Sequence, residues 1–259
     1  MSLPAIFQQT GRKLAAVAAP LIEFCYPASC CICSLSAPAG DRWCTACDGE
    51  LAKLQFAPAC AICAMPLSEH LAPCPYCQGK GLRPFRRVAR LGIFSSPLKD
   101  LVHRVKYSSD WPLAEKLAER LAEQDTVQAA LQDADVIIPV PLFWRRHASR
   151  GFNQAEIIAR VLARRSNAKV KHAVVRLRDT PTQTALHKRS HRLENLKNAF
   201  GTPDPEAIRG KHVVLVDDVV TTAATLQTMA REVRRHEPAS VSAVVLAIAD
   251  PKGRAFEVI

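Results

Sequence analysis

The chain has 259 residues, 48% of them hydrophobic, enough for one large α/β domain and a small accessory one. No stretch of eighteen apolar residues occurs, which speaks against a membrane-spanning helix. The formal charge is +11 and concentrated: residues 140–212 hold sixteen Lys or Arg against five Asp or Glu. Such a field favours polyanions, either phosphorylated small molecules or nucleic acid, over a merely solvated basic surface.

Residues 1–24 are read as an amino-terminal helical segment. The stretch Arg12–Pro20 has the outline of an export signal, but it is short and runs into Glu23, so a short amphipathic helix is expected.

Residues 25–84 form a cysteine module. All ten cysteines lie between Cys25 and Cys77, and eight form the C-x-x-C pairs Cys30/Cys33, Cys44/Cys47, Cys60/Cys63 and Cys74/Cys77. The second two pairs repeat the first two at an offset of thirty residues, with the same ten-residue gap between knuckles. Each turn aims two thiolates at one ion, and two turns complete a tetrahedral tetrathiolate site. Structural zinc is expected, at one or two sites. One site per repeat is the simplest arrangement; interleaved pairing and a single retained site are the alternatives. Disulfides are a weaker reading, because a basic α/β protein without a persuasive export signal belongs in the reducing cytoplasm, where thiols bind metal instead. An iron–sulfur cluster is a further, weaker alternative. A segment with so few large apolar residues needs its metal to fold.

Residues 85–259 alternate strands and helices. Val88–Phe94 reads as a strand and Leu98–Tyr107 as a helix with Leu98, Leu101, Val102 and Val105 inward. A second helix is predicted from about Pro112 to Gln124. Asp135–Pro141 is a short buried strand leading into a proline-stiffened loop, in which Val140, Pro141, Arg145, Arg146 and Arg150 form a candidate anion site. Asn153, with Glu156 three residues on, marks a capping box for the next helix. Val213–Val216 and Val241–Ile248 supply two more strands. The succession predicts an α/β domain with an open, mostly parallel sheet flanked by helices. Its ligands should sit beyond the carboxyl ends of the strands.

Between Arg176 and Phe200 the pattern loosens into a polar, basic stretch. Gln183, Lys188, Arg189, Arg192 and Asn195 would be presented there to an anionic ligand. The plainer alternative is an amphipathic helix, Leu186 to Leu196, with a wet basic face.

The most informative run is residues 212–225, HVVLVDDVVTTAAT. An apolar strand ends in Asp217 and Asp218. The turn Thr221-Thr222-Ala223-Ala224-Thr225 then opens a helix with Leu226, Met229 and Val233 inward. Amides and hydroxyls at a helix start cradle a phosphate, and the adjacent acids meet sugar hydroxyls or magnesium. A phosphorylated sugar such as 5-phosphoribosyl-1-pyrophosphate fits both, with magnesium bridging its pyrophosphate. Neither GxxxxGK[ST] nor GxGxxG occurs, and a two-carboxylate hydrolase would leave the threonine turn without a role.

Taken together, these blocks resemble the ComF/GntX family of competence-associated, phosphoribosyltransferase-like proteins. The resemblance runs from Cys30 to about Ala249. It takes in LGIFSSPLKDLVHRVKY at 91–107, VPLFWRRHASRGFNQAEIIA at 140–159, RDTPTQTALHKRSHRLENLKNAF at 178–200 and VVLVDDVVTTAAT at 213–225. It implies a type I phosphoribosyltransferase-like fold behind an amino-terminal zinc module. It also implies that Asp217 and Asp218 are the acidic pair, and that Thr221, Thr222 and Thr225 belong to the phosphate loop. Arg150, Gly151, Phe152, Asn153 and Gln154 match a family block beside the pyrophosphate loop. Some members handle incoming single-stranded DNA in the cytosol during transformation. One departure stands out: Ala223 replaces the glycine usual in the phosphate loop, and alanine resists left-handed geometry. Two functions follow as expectations. One is a magnesium-dependent transferase using phosphoribosyl pyrophosphate and a nitrogen acceptor. The other is a non-enzymatic protein that handles single-stranded DNA, alongside DNA-processing partners, on the same scaffold.

Overall fold

The computed structural model describes residues 29–38, 40–67, 73–79, 82–179, 198–221 and 223–249. The expectations for residues 1–24, Cys25, Thr222, Gln183, Lys188, Arg189, Arg192 and Asn195, and for a helix over 186–196, lie outside the described residues. The chain divides into two compact units between Glu50 and Leu51.

The thirty-residue repeat is visible in the backbone. At the first knuckle the Cys30 amide donates to Leu35 O (2.7 Å) and the Ser34 amide to Cys30 O (2.9 Å). Thirty residues on, the Cys60 amide donates to Met65 O (3.0 Å) and the Ala64 amide to Cys60 O (2.8 Å). Ser34 and Ala64 both take a positive φ to close these turns, at 64° and 55°. Helix α1 spans Thr45–Gln55.

In the larger unit the elements run β1 (Val88–Ile93), α2 (Leu98–Tyr107), α3 (Trp111–Ala122), α4 (Asp125–Leu131), β2 (Val136–Pro139), α5 (Trp144–Arg150) and α6 (Gln154–Arg164). They continue as β3 (Lys169–Val170), β4 (Val175–Arg176), β5 (Phe200–Gly201), β6 (His212–Val220), α7 (Ala224–Arg234) and β7 (Ser240–Ile248). The main sheet has the order β1-β7-β6-β2-β3, and every neighbouring pair is parallel. This is the open parallel α/β sheet that the alternating pattern predicts. From β2 the chain steps outward to β3, and from β6 it steps the opposite way to β7. The reversal therefore lies between β2 and β6, where such sheets open a crevice beyond their carboxyl ends. A separate ladder pairs β4 with β5, antiparallel.

Local signals account for most of the helices. Leu98, Leu101, Val102 and Val105 are all buried, giving α2 one apolar face. The Asp110 carboxylate caps α3 by accepting from the Leu113 amide, and Pro112 stands in its first turn. Asn153 caps α6 by accepting from the Ala155 amide at 3.1 Å. Glu156 turns instead to Arg160 and His172, so only half of the capping box forms. The second cysteine repeat shares the core of the larger unit: Cys63, Cys74 and Cys77 are buried in one cluster with Val88, Val241 and Val245.

Two differences from the sequence reading matter for the site. Strand β6 does not end at the acids but continues past them to Val220, Asp217 pairing in register with Val245 and Val220 with Ile248. The segment after Pro141 is not all loop, because Arg145, Arg146 and Arg150 ride on helix α5. None of the α5 residues is buried, so the helix carries no apolar periodicity to read. Among the described residues no helix is long and apolar enough to cross a membrane.

Candidate functional site

The carboxyl ends of β2 and β6 are stitched together. The Val140 amide donates to Val216 O at 2.8 Å, and the side-chain amide of Asn153 donates to Val140 O at 3.0 Å. Asn153 thus fixes both the start of α6 and the exit from β2. Val140 is buried and Pro141 half-buried at this edge of the sheet.

Asp217 and Asp218 are half-buried at this edge. The Asp218 amide donates to Asp217 Oδ1 at 2.9 Å, and Lys106, from the last turn of α2, places Nζ 3.0 Å from Asp218 Oδ1. Burial, and then the charge of Asp218, pushes the Asp217 carboxyl up to about 7; the Asp218 amide, Lys106 and Arg176 pull the other way. Near neutral pH this carboxyl therefore exchanges between donor and acceptor forms.

Arg176 on β4 stacks over Phe200 of β5, with 5.6 Å from Cζ to the ring centroid. Burial first, and then the like charge of Arg146, lowers its pKa, while Asp217 and Asp179 oppose that. Arg146 in turn lies 3.6 Å from Asp179. Arg146, Arg176, Asp179 and Asp217 hence form one electrostatic neighbourhood drawn from α5, β4, the segment after β4, and β6.

The other arginines of α5 point elsewhere. Arg145 lies over the Trp144 ring at 5.3 Å and Arg150 over the Tyr107 ring at 5.8 Å. The Ser109 hydroxyl donates to Arg150 O at 3.1 Å, tying the end of α5 to the segment after α2. Tyr107 and Trp144 are 72% and 64% exposed, which is unusual for rings of this size and marks an open aromatic surface. Among the described residues, Arg146 is the predicted anion-site arginine that reaches the acidic pair's neighbourhood.

In the turn after β6, Thr221 and Thr225 are half-buried, while Ala223 and Ala224 are buried. Ala223 sits at the start of α7 with φ 58° and ψ 5°, the left-handed conformation that glycine would adopt freely. It offers no side-chain acceptor to cap the helix. The amino end of this eleven-residue helix, which follows β6 directly, thus has no carboxylate or hydroxyl cap from its own N-cap residue.

Lys106, Arg176, Tyr107 and Trp144 are not among the site residues read from the sequence. Lys106 and Tyr107 close an ordinary amphipathic helix, and Arg176 is one arginine in a loosely patterned stretch. The family blocks at 91–107 and 140–159 take in Lys106, Tyr107 and Trp144 without singling them out.

The eight knuckle cysteines form two groups, Cys30/Cys33/Cys44/Cys47 and Cys60/Cys63/Cys74/Cys77, with ligand atoms in each group within 4.8 Å of one another. The pairing is thus one cluster per repeat. Sulfur separations are 3.7 Å for Cys33–Cys44 and 3.8 Å for both Cys60–Cys77 and Cys63–Cys74. Four thiolates around an ion at about 2.3 Å lie about 3.8 Å apart, whereas a disulfide needs about 2.05 Å. The donors fit a single tetrahedral ion of the zinc kind in each cluster. Burial raises the Cys30 thiol, but amides of Cys33, Cys44 and Ile32 outweigh it and bring the thiol down to about 6. The equivalent thiol of the second cluster, Cys60, is lowered in the same way by the amides of Cys63 and Ile62.

The sequence profile of the phosphoribosyl transferase domain matches residues 109–258. The chain is similar to "DNA utilization protein YhgH" of Escherichia coli K12, at 37% identity over 187 residues, covering 70% of this chain and 80% of that protein. It is also similar to "Competence protein F" of Haemophilus influenzae, at 30% identity over 194 residues, covering 73% and 84% of the two chains. With "Competence protein ComFC" of Bacillus subtilis it shares 28% identity over 213 residues, covering 80% and 84%.

Proposed function

Because the chain belongs to the ComF/GntX-like family of phosphoribosyl transferase domain proteins, we propose that it handles single-stranded DNA in the cytoplasm, on a scaffold that keeps a phosphosugar crevice. The observation that carries this reading is the pair of open cation–aromatic stacks, Arg150 on Tyr107 and Arg145 on Trp144. Bases stack on exposed rings without regard to sequence, and arginines take the phosphates between them. Both stacks involve α5, whose seven residues span about 10 Å, so adjacent nucleotides of one strand can engage both. The names of the relatives, which speak of DNA utilization and competence, agree with it.

A second reading rests on a separate observation, the acidic pair at the β2/β6 reversal followed by the amino end of α7. Here Asp217 and Asp218 hold ribose hydroxyls, Thr221–Thr225 hold the 5-phosphate, and Arg146 and Arg176 face the departing pyrophosphate. Magnesium, when bound with the donor, supplies charge neutralisation. The chain's own contribution is positioning and water exclusion rather than a covalent residue.

Anisotropy of a labelled oligothymidylate, titrated at several salt concentrations, tests the first reading. Tight, salt-steep binding is expected, weakened by Trp144→Ala and Tyr107→Ala and untouched by Asp217→Asn. Binding that ignores both ring deletions removes it. Thermal-shift titration with phosphoribosyl pyrophosphate and magnesium tests the second, with Asp217→Asn and Asp218→Asn abolishing the shift. No shift in the unaltered protein removes that one.

A further inference from the structure

Arg90 is an arginine inside a sheet. It lies on β1, all six residues of which are buried, and only 5% of its own surface is exposed. One terminal nitrogen, Nη2, donates to Ala57 O at 3.2 Å. The other, Nη1, is buried without a hydrogen-bond partner. A guanidinium in such a place is costly unless an opposite charge stands near it.

The second cysteine cluster is the source of negative charge beside it. The chain entering this cluster runs over β1: Ala57 O takes the bond from Arg90, and Ile62 O takes a 2.9 Å bond from the Val88 amide. Val88 and Arg90, two apart on a strand, share a face, and Val88 belongs to the same buried cluster as Cys63, Cys74 and Cys77. Burial pulls the Arg90 guanidinium down to about 10, and the Cys63 thiolate pulls it back up. Four thiolates on one divalent zinc leave a net charge of two minus, three of whose sulfurs are buried here.

We propose that Arg90 is the charge partner of the second cluster, its free guanidinium edge offsetting the zinc tetrathiolate held by Cys60, Cys63, Cys74 and Cys77. The two cysteine clusters are then unequal despite their shared spacing. The second is a site in which metal and buried arginine each make the other tolerable. Without zinc, the fixed tetrathiolate charge is gone and Arg90 loses its partner. Without Arg90, a doubly negative cluster is left in an apolar core. The inference rests on zinc occupying the cluster and is independent of the DNA and phosphosugar readings.

Metal release tests it. The zinc-loaded full chain, treated with a chromogenic chelator, is expected to give two metals in separable phases. The Cys33→Ser/Cys47→Ser background retains only the second site and assigns its phase. Arg90→Met, uncharged and of similar length, should weaken second-site retention by about tenfold or more, the usual cost of losing an outer partner. The first-site phase should not move, and Arg90→Lys should retain second-site metal within about threefold of the unaltered chain. A charge role makes one further demand. Cys60→His reduces the cluster's charge by one, so adding it to Arg90→Met should recover much of the loss, which a packing role would not do. Second-site release unchanged in Arg90→Met, or no recovery with Cys60→His, overturns the proposal. If Arg90→Met does not accumulate folded, Arg90→Lys decides: near-normal release upholds the proposal, and a tenfold faster second phase overturns it.

Discussion

Lys106 Nζ lies 3.0 Å from Asp218 Oδ1, so a helix early in the larger unit supplies the counter-charge for the acidic pair on β6, more than a hundred residues later. Both side chains are largely covered, at 21% and 14% exposure, which places the pair between a surface bridge and a buried one. Lys106→Met should therefore cost about 1–3 kcal/mol of stability. Lys106 also helps hold the Asp217 pKa down, so its removal should move that titration above about 7. Unfolding midpoints measured from pH 5 to 9 report both effects.

Asp217 itself fixes the sign of a pH dependence. Burial and Asp218 raise its carboxyl from 3.8 to about 7, so between these values the folded chain binds a proton that the unfolded chain releases. Its contribution is full below about pH 4, falls as pH rises, and is lost above about 7. Asp217→Asn should abolish this slope, and its stability relative to the unaltered protein should be greater at pH 8 than at pH 5. Taking the difference between the two proteins cancels any titration of the cysteine clusters common to both. An equal difference at the two pH values would contradict the assignment.

Ala223 at φ 58° puts a side chain where the backbone is made for glycine. The left-handed conformation costs about 1–2 kcal/mol for a residue with a Cβ. Glycine loses about 0.4–1 kcal/mol through its freer unfolded state. Ala223→Gly should thus stabilise the protein by roughly 0.5–1 kcal/mol, and it should strengthen any phosphate-dependent thermal shift by removing a methyl group from the turn. A destabilised Ala223→Gly variant would mean that the methyl group packs better than the backbone is strained.

The oddity at Ala223 is visible in the sequence once the turn is aligned with its family's pattern, and so is the helix over 98–107, whose apolar spacing leaves no choice. The reach of β6 was harder to read. Asp217 and Asp218 interrupt an apolar run, yet backbone pairing with Val245 and its neighbours carries the strand on to Val220 regardless of side chain. Helix α5, with no buried residue, has no periodicity to betray it. Arg176 and Lys106 meet the acids only through tertiary folding, and no local pattern announces such a meeting. The cysteine module is legible because a thirty-residue repeat survives in eight cysteines, but spacing leaves three arrangements open, and the fold selects one cluster per repeat.

Gly92 on β1 shows how closely the chain approaching the second cluster packs on the sheet. A Cβ there would lie 2.9 Å from Leu98 Cδ2 and 3.2 Å from Leu54 O. The leucine is itself fully buried, and the backbone carbonyl must move with its helix. Gly92→Ala should cost about 1–3 kcal/mol, the usual range for overpacking, and denaturant unfolding would register it as a lower midpoint with an unchanged slope.

Metal removal should separate the two clusters. Cys63, Cys74 and Cys77 are buried with β1, β6 and β7 residues in one core, so losing their ion removes the cross-link that holds the knuckles onto that core. Cys60→Ser/Cys63→Ser should lower the unfolding midpoint of the larger unit by on the order of 10 °C. Cys30→Ser/Cys33→Ser alters the unit that ends at Glu50 and should leave that midpoint nearly unchanged. Zinc content per chain, measured beside each melt, should fall from two to one in both variants. A larger-unit midpoint that falls equally in the two would show that the first cluster, too, stabilises the α/β fold.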